Sequence, residues 1–451
     1  MSRREESQLR SEEALTLAAR EPLRMQQRFA AMHTADAAEL LLECSTLEQR
    51  LLLLRCIPDQ QRGDVLLDLP ESMQELLLAE LHPEAIGDVV EHLDSDDAAD
   101  LLQAVDRVIA DEIIEQLEPD ERREIKPLMT YDEESAGGLM QAELFKVRAD
   151  WSVDRVLKVL RRWGRKIENL NYIYIVDNND ILVGLLPLRH LLFLEPDQTV
   201  IEHAERQFLT VTPQEDQESV VRLFDKYDLI TIPVVDASGV LLGRITADDV
   251  IDVFQEEATE DMYRLAALSG QDDLAEPVLT TSWRRGVWLL VNLGTAVLAS
   301  LVISQFEPTI SAIVALAVLM PIVASMGGIA GTQTLTVIVR GIALGRVTLR
   351  NATKVLLKEI KVSIMTGLTF AAITATIATL WFPQYGLKLG TIIACAMLIN
   401  LCMAGLAGAL IPLTLQRLHI DPALASGTML TTVTDVVGFF AFLGLATLFL
   451  L

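Results

Sequence analysis

A single carboxylate sits in an apolar stretch that has no other charge. The last apolar run, Ala423 to Leu451, carries one ionisable residue, Asp435, near its middle. An ionised group at that depth of a bilayer is costly, and such groups mark ion or substrate pathways. Thr431, Thr432 and Thr434 add hydroxyls around it. An internal hydrogen bond accounts for one threonine, but not for an acid, so the group reads as a cation site. Asn400, the other polar intruder, reads as a packing bond between helices. An earlier run, Ile310 to Val339, is long enough to span a membrane. Pro321, Gly327, Gly328 and Gly331 interrupt it midway. That pattern predicts a broken helix whose backbone faces protein or water, as at the substrate sites of many transporters. Pro321, the three glycines and Thr434 are therefore candidate pore-lining residues.

A second group of acids precedes the apolar half. The stretch TADDVIDVFQEEATEDMYRLAALSG, residues 246–270, has helical spacing and places Asp249, Asp252, Glu256 and Glu260 on one face. Asp248–Asp252, Asp252–Glu256, Glu256–Glu260 and Glu257–Asp261 are like-charge neighbours one turn apart. Each pair destabilises a bare helix by roughly 0.2–0.5 kcal/mol, so an offsetting cation is expected. Carboxylates and water are the ligands that suit Mg2+. Further upstream, Asp96 and Asp100 also lie one helical turn apart. On spacing alone that pair reads as a helix cap and a solvated face.

These residues need elements to hold them. The chain has 451 residues and a net charge of −26. Residues 286–451 hold four acids and eight bases, a net of +4, leaving −30 on residues 1–285. Such an acidic half argues against nucleic acid and anionic lipid as partners and favours cations. The four cysteines show no metal-type spacing and read as reduced core residues, which suits a cytoplasmic location. The N-terminal MSRREESQLR lacks an apolar core, so no cleaved secretory signal is expected.

Two repeats organise the acidic half. Ile57, Leu69, Leu81, Leu93, Val105, Leu117 and Met129 recur every twelve residues, most followed by a Pro- or Asp-rich helix start. They predict a superhelical stack of short helices over residues 1–130, a binding surface with no catalytic pocket. Then IYIVDNNDILVGLLPLRHL (173–191) repeats as IPVVDASGVLLGRITADDV (232–250) at an offset of 59. Each copy reads as strand, Asx/Gly turn, strand and helix start. This resembles a tandem pair of CBS domains, placed at 131–258. Thr246 and Asp249 match the T-x-x-D pattern that contacts a ribose in that family; Pro187 and His190 stand there in the first copy, so at most one adenine nucleotide, such as ATP, is implied.

Five apolar runs follow within 285–451: about 286–305, 310–339, 362–382, 389–416 and 423–451. Arg284 and Arg285, then Arg340 through Lys361, then Arg417 lie in alternate flanks. The positive-inside rule therefore places the N-terminal half in the cytoplasm and the C-terminus outside, in a multi-pass protein of the cell (inner) membrane. Lys354 to Lys361 read as a basic helix along the inner surface.

AGGLM (136–140), EEATED (256–261), GGIAGTQTLTVIVRGIALG (327–345) and TDVVGFFAFLGLA (434–446), with the CBS pair and five spans, resemble the MgtE family of magnesium channels and transporters. The resemblance spans nearly the whole chain. It implies a multidomain homodimer: an all-α N domain, α/β tandem CBS domains, an acidic connecting (plug) helix at 246–280 and a five-helix transmembrane pore domain. Asp435 matches the pore aspartate, Asp421 an acid at the cytoplasmic mouth, and Gln333 a retained pore amide. Where many members read GGN, this chain has Ile329, which puts selectivity against Co2+ or Mn2+ in question. The family also implies closure by cytosolic Mg2+, at positions matching Asp96, Asp100, Asp216, Glu218, Asp228, Asp249, Asp252, Glu257, Glu260 and Asp261. The function implied is passive Mg2+ uptake. The alternatives are a divalent-cation exchanger or exporter, and a membrane-tethered nucleotide sensor. No P-loop, H-E-x-x-H or G-x-S-x-G appears where a pump or intramembrane hydrolase would need it, so an enzyme is not expected.

Overall fold

A computed structural model describes residues 3–164, 167, 169–268, 278–424 and 426–451. The part of the expected 246–280 connector beyond residue 268 and before 278 lies outside them. The chain divides into two units, residues 1–255 and 256–451.

The first unit opens with helices α1 (Arg3–Arg20), α2 (Pro22–Phe29), α3 (Thr34–Leu42), α4 (Leu47–Leu54), α5 (Asp59–Leu67), α6 (Glu71–Leu78), α7 (Pro83–Val90), α8 (Ser95–Gln103), α9 (Arg107–Gln116) and α10 (Pro119–Leu128). From α5 to α10 the helices start twelve residues apart. The recurring apolar residue is the one just before each N-cap, where it fixes the angle at which the chain enters the helix. Pro58 and Pro70 occupy N-caps, and Pro83 and Pro119 the first helical position, where a missing N–H costs nothing. Helices this short do not persist alone. Here α3 packs on α5, α5 on α7 and α7 on α9, while α4 packs on α6 and α8 on α10. The two rows bury Leu53, Leu54, Ile57, Leu66, Leu77, Ile86, Val89, Leu102 and Ile113.

The segment that follows makes two small sheets. Strand β1 (Lys146–Arg148) pairs parallel to β2 (Tyr172–Val176), which pairs antiparallel to β3 (Leu182–Pro187); β4 (Thr231–Val235) pairs antiparallel to β5 (Leu241–Thr246). The repeat is exact in its irregularities. Both hairpins shift register one residue before their last pair, at Ile175/Val176 and Val234/Val235. In both turns an aspartate accepts two backbone N–H bonds: Asp177 from Asn179 and Ile181, Asp236 from Ser238 and Val240. The turns meet, with Leu182 N–H bonded to Gly239 O and Leu241 N–H to Asp180 O, each at 3.0 Å. Helices α11 (Val153–Trp163), α12 (Leu188–Leu191) and α13 (Gln217–Tyr227) accompany the strands, and α14 (Ala247–Leu265) leaves the second hairpin.

The second unit holds α15 (Val278–Ser304), α16 (Glu307–Ala312), α17 (Ala315–Ala343), α18 (Ala352–Trp381), α19 (Gly386–Arg417) and α20 (Ser426–Leu450). Among the described residues five of these are long and apolar enough to cross a membrane, α16 being the exception. Helix α19 is the most enclosed of them, packing on α17, α18 and α20 through Ala396, Ala404, Gly405, Gly408 and Ala409. Two expectations need correction. The second span is not broken at Pro321 or its glycines: α17 runs unbroken from Ala315 to Ala343, and the interruption falls at Ile313–Val314. In a low-dielectric setting a lost backbone bond is expensive, so a packed helix carries a proline and glycines that would break it in water. The basic segment Lys354–Lys361 is likewise no separate surface helix; it forms the first turns of α18.

Gly138 sits where no side chain fits, since a Cβ there would lie 2.6 Å from the carbonyl oxygens of Asp132 and Glu133. Backbone cannot swing aside as a side-chain tip does. Gly138→Ala is therefore expected to destabilise the first unit by about 1–3 kcal/mol, seen as a lowered unfolding temperature of the purified chain; an unchanged temperature would show that this turn adjusts freely.

Candidate ion pathway and acidic sites

Helices α17 and α20 enclose a hollow of about 770 Å3, lined by Ala324, Ser325, Gly328, Ile329, Thr332, Gln333, Thr336, Val337, Thr431 and Asp435. The α17 residues recur at helical intervals and form one stripe. Asp435 is half-buried in the wall and, among the described residues, its carboxylate has neither a hydrogen-bond donor nor a cation beside it. Of the residues expected to line a pore, Gly328 and Gln333 join Asp435 here. The others do not. Thr434 is fully buried and donates to Thr431 O at 3.0 Å. Gly327 faces Asn400, Gly331 faces Leu430, and Pro321 lies off the hollow. Ser325 and Thr336 were missed. Their signal was available, because Ser325, Thr332 and Thr336 are polar residues at i, i+7 and i+11 of an apolar helix.

In the first unit Asp96 is buried, at 5% exposure, which overturns the reading of a solvated face. Among the described residues its Oδ1 accepts no hydrogen bond. Burial, with Asp97 and Asp249 close by, pushes its carboxyl well above the usual range. Burial and then the charges of Asp249, Asp94 and Asp100 raise Asp97 to about 8. Asp249 rises to about 6 through burial, although Thr246 Oγ1 donates to it at 2.7 Å and Gln141 Nε2 at 3.2 Å. The Thr246–Asp249 pair is thus bonded to itself, and a ribose would compete with that bond. Glu143, also missed in sequence, caps α8 from a distance: it accepts from Ser95 N (3.1 Å) and Ser95 Oγ (2.8 Å). This cap holds the start of α8, and so Asp96 and Asp97, against the segment entering β1.

The remaining acids are more scattered. Asp216 caps α13, accepting from Glu218 N at 3.0 Å, and Glu218 pairs with Arg222 at 3.2 Å. Asp228 closes the other end of α13 in the left-handed region, φ 51°, about 18 Å from Asp216 along the helix, so the chain does not bring the three together. Burial, then Asp68 and Asp248, raises Asp252. In the second unit Arg264 pairs with both Glu260 and Asp421, and Asp421 accepts from Ala423 N at 2.8 Å. Asp261 is pushed up to about 6 by burial and by Asp421 and Glu257. Leu265, at the end of α14, packs with Leu335 and Val339 of α17 and with Ala423 and Leu430. Among the described residues no three His, Cys, Asp or Glu side chains form a metal cage. The Asp96 group nevertheless fits a hard cation, for it holds an unsatisfied buried carboxylate oxygen among mutually repelling acids.

Family models match in the same order as the structure. The MgtE intracellular N domain matches residues 32–134, the CBS domain 136–197 and 200–256, and the MgtE divalent cation transporter domain 320–445. The magnesium transporter MgtE of Thermus thermophilus is 36% identical over 360 residues, 79% of each chain. A solved soluble part of a magnesium transporter covers 56% of this chain and 99% of its own, at 27% identity and a TM-score of 0.50. A solved cytosolic domain of the Mg2+ channel MgtE in complex with ATP is 36% identical, covering 51% and 93%, with a TM-score of 0.48. The chain is therefore a multi-pass membrane protein with an intracellular N-terminal domain and tandem CBS domains, of a transporter class and not an enzyme class. It belongs to the MgtE family of divalent cation transporters.

Because charge on Asp97 is disfavoured in the folded unit, Asp97→Asn is expected to raise the unfolding temperature of the divalent-free protein. It is also expected to shrink the upward shift given by millimolar Mg2+. Calorimetry of the purified chain in EDTA and in Mg2+ checks both; an equal Mg2+ shift in wild type and variant would remove Asp97 from any cation site.

Proposed function

We propose that the protein is a homodimeric Mg2+ channel for passive Mg2+ uptake across the inner (plasma) membrane, with its C-terminus outside and its pore gated by intracellular Mg2+. One observation carries this reading: Asp435, without a partner among the described residues, on a hollow between two helices long and apolar enough to span a membrane. A carboxylate in that setting needs a cation or retained water. Mg2+ keeps several waters and takes few protein oxygens. The hydroxyls of Ser325, Thr332 and Thr336 and the Gln333 amide offer hydrogen bonds to such a hydration shell. The hollow is open-sided. A second copy facing it would complete the wall and bring a second Asp435 to the path.

The acids of the first unit and of α14 supply the gate. Asp96, Asp97, Asp100 and Asp249 repel one another when bare, Asp252 is raised by burial, Asp68 and Asp248, and Asp261 is crowded by Asp421 and Glu257. Asp216, Glu218 and Asp228 would take part only in sites completed by other surfaces. Cytosolic Mg2+ favours the compact closed arrangement only through tighter binding to it than to the open one. Arg264 holds the end of α14 against Asp421 beside α17 and α20, which suits a plug at the intracellular mouth.

Reconstituted into liposomes, wild type is expected to take up Mg2+ when the cytosolic face sees little Mg2+ and to stop when it sees much. Asp435→Ala should lose uptake at least tenfold. A wild type that carries no divalent ion at low Mg2+ would end the channel reading. Arg264→Ala should leave uptake at low Mg2+ intact and let it persist at Mg2+ levels that silence wild type; unchanged closure would take Arg264 out of the gate.

A further inference from the structure

Asn400 of α19 is fully buried between the two helices that line the hollow. Its Nδ2 donates to the Val323 carbonyl of α17 at 2.8 Å. Its Oδ1, equally buried, accepts nothing from the described residues. The amide fits because both neighbours are glycines. A Cβ at Gly327 of α17 would lie 2.2 Å from Asn400 Nδ2, and one at Gly438 of α20 would lie 2.7 Å from it. One polar side chain thus fills a double notch. Gly438 stands one turn beyond Asp435, and Gly327 stands beside Gly328 in the lining stripe.

We infer that Asn400 is a positioning residue for ion passage: its amide, wedged between Gly327 and Gly438, sets the separation and rotation of α17 and α20 and hence the distance from Asp435 to the Gln333 side of the hollow. Burying an amide with only half its bonding capacity met costs free energy. A leucine or alanine would pack these helices without that cost, so packing alone does not explain an asparagine. Gly331 of α17 meets the flexible Leu430 methyls; at Asn400 the contact is a hydrogen-bonded amide that cannot yield without losing Val323. For an ion whose water shell must match wall oxygens, a shift of a few tenths of an ångström changes which ions fit.

The inference rests on the channel reading above. The test is liposome uptake of Mg2+ against Mn2+ and Co2+ by wild type, Asn400→Ala, Gly327→Ala and the double variant, each checked for expression and dimer size. Asn400→Ala is expected to retain uptake while its Mg2+ preference falls about tenfold, a ratio that a loss of folded protein alone does not move. Gly327→Ala, which collides with the amide, should lose most uptake, and Gly327→Ala with Asn400→Ala should recover it because the obstructing group is gone. Wild-type uptake together with an unchanged preference in Asn400→Ala, or a double variant no better than Gly327→Ala, overturns the role of Asn400. A wild type without uptake fails the channel reading instead.

Discussion

An ionised carboxylate removed from water has to be matched by something else, and both halves of this molecule are arranged around carboxylates that are not. Among the described residues Asp435 has no donor or cation beside it, and Asp96 has a buried carboxylate oxygen that accepts no hydrogen bond. In a protein interior such a group either takes up a proton or waits for a cation. The raised carboxyls of Asp96, Asp97 and Asp249 show that cost in the first unit. Everything else in the fold works to hold these groups in place in spite of it.

The scaffolds that do so are built differently because their solvents differ. The short helices α5 to α10 depend on Pro and Asp starts and on an apolar residue before each one, and none is long enough to stand alone. The spans depend on backbone bonds closed within each helix. That is why Pro321 and three glycines sit inside α17 without breaking it. The glycines are used instead as notches, for Asn400 at Gly327 and for Leu430 at Gly331.

Much of this was legible in the sequence, for reasons of period. A twelve-residue spacing, a 59-residue offset and five apolar runs are one-dimensional patterns, and they correspond to short helices, a repeated hairpin and five long apolar helices. Asp435 was legible because a lone acid in an apolar run has few innocent explanations. What failed was anything that depends on which way a residue faces. Thr434 and Asp435 are adjacent, yet one points into packing and the other into the hollow. Asp96 looked like a solvated cap because a short helix start is usually exposed; only the fold brings Glu143 and Asp249 over it. Glu143 itself lies 48 residues from the Ser95 backbone it caps, beyond the reach of any local pattern.

The two acid systems also differ in how they can respond. Asp435 stands on helices packed through α19, whose small residues and Asn400 leave little slack. Burial and acidic neighbours raise the carboxyls of both Asp249 and Asp261 on α14. Arg264 offsets part of that charge at one end only, through Glu260 and Asp421. Around Asp249 the hydrogen-bond donors are Thr246 and Gln141. The charge near Asp261 is thus met in part by a guanidinium, and the carboxylate of Asp249 by two neutral donors.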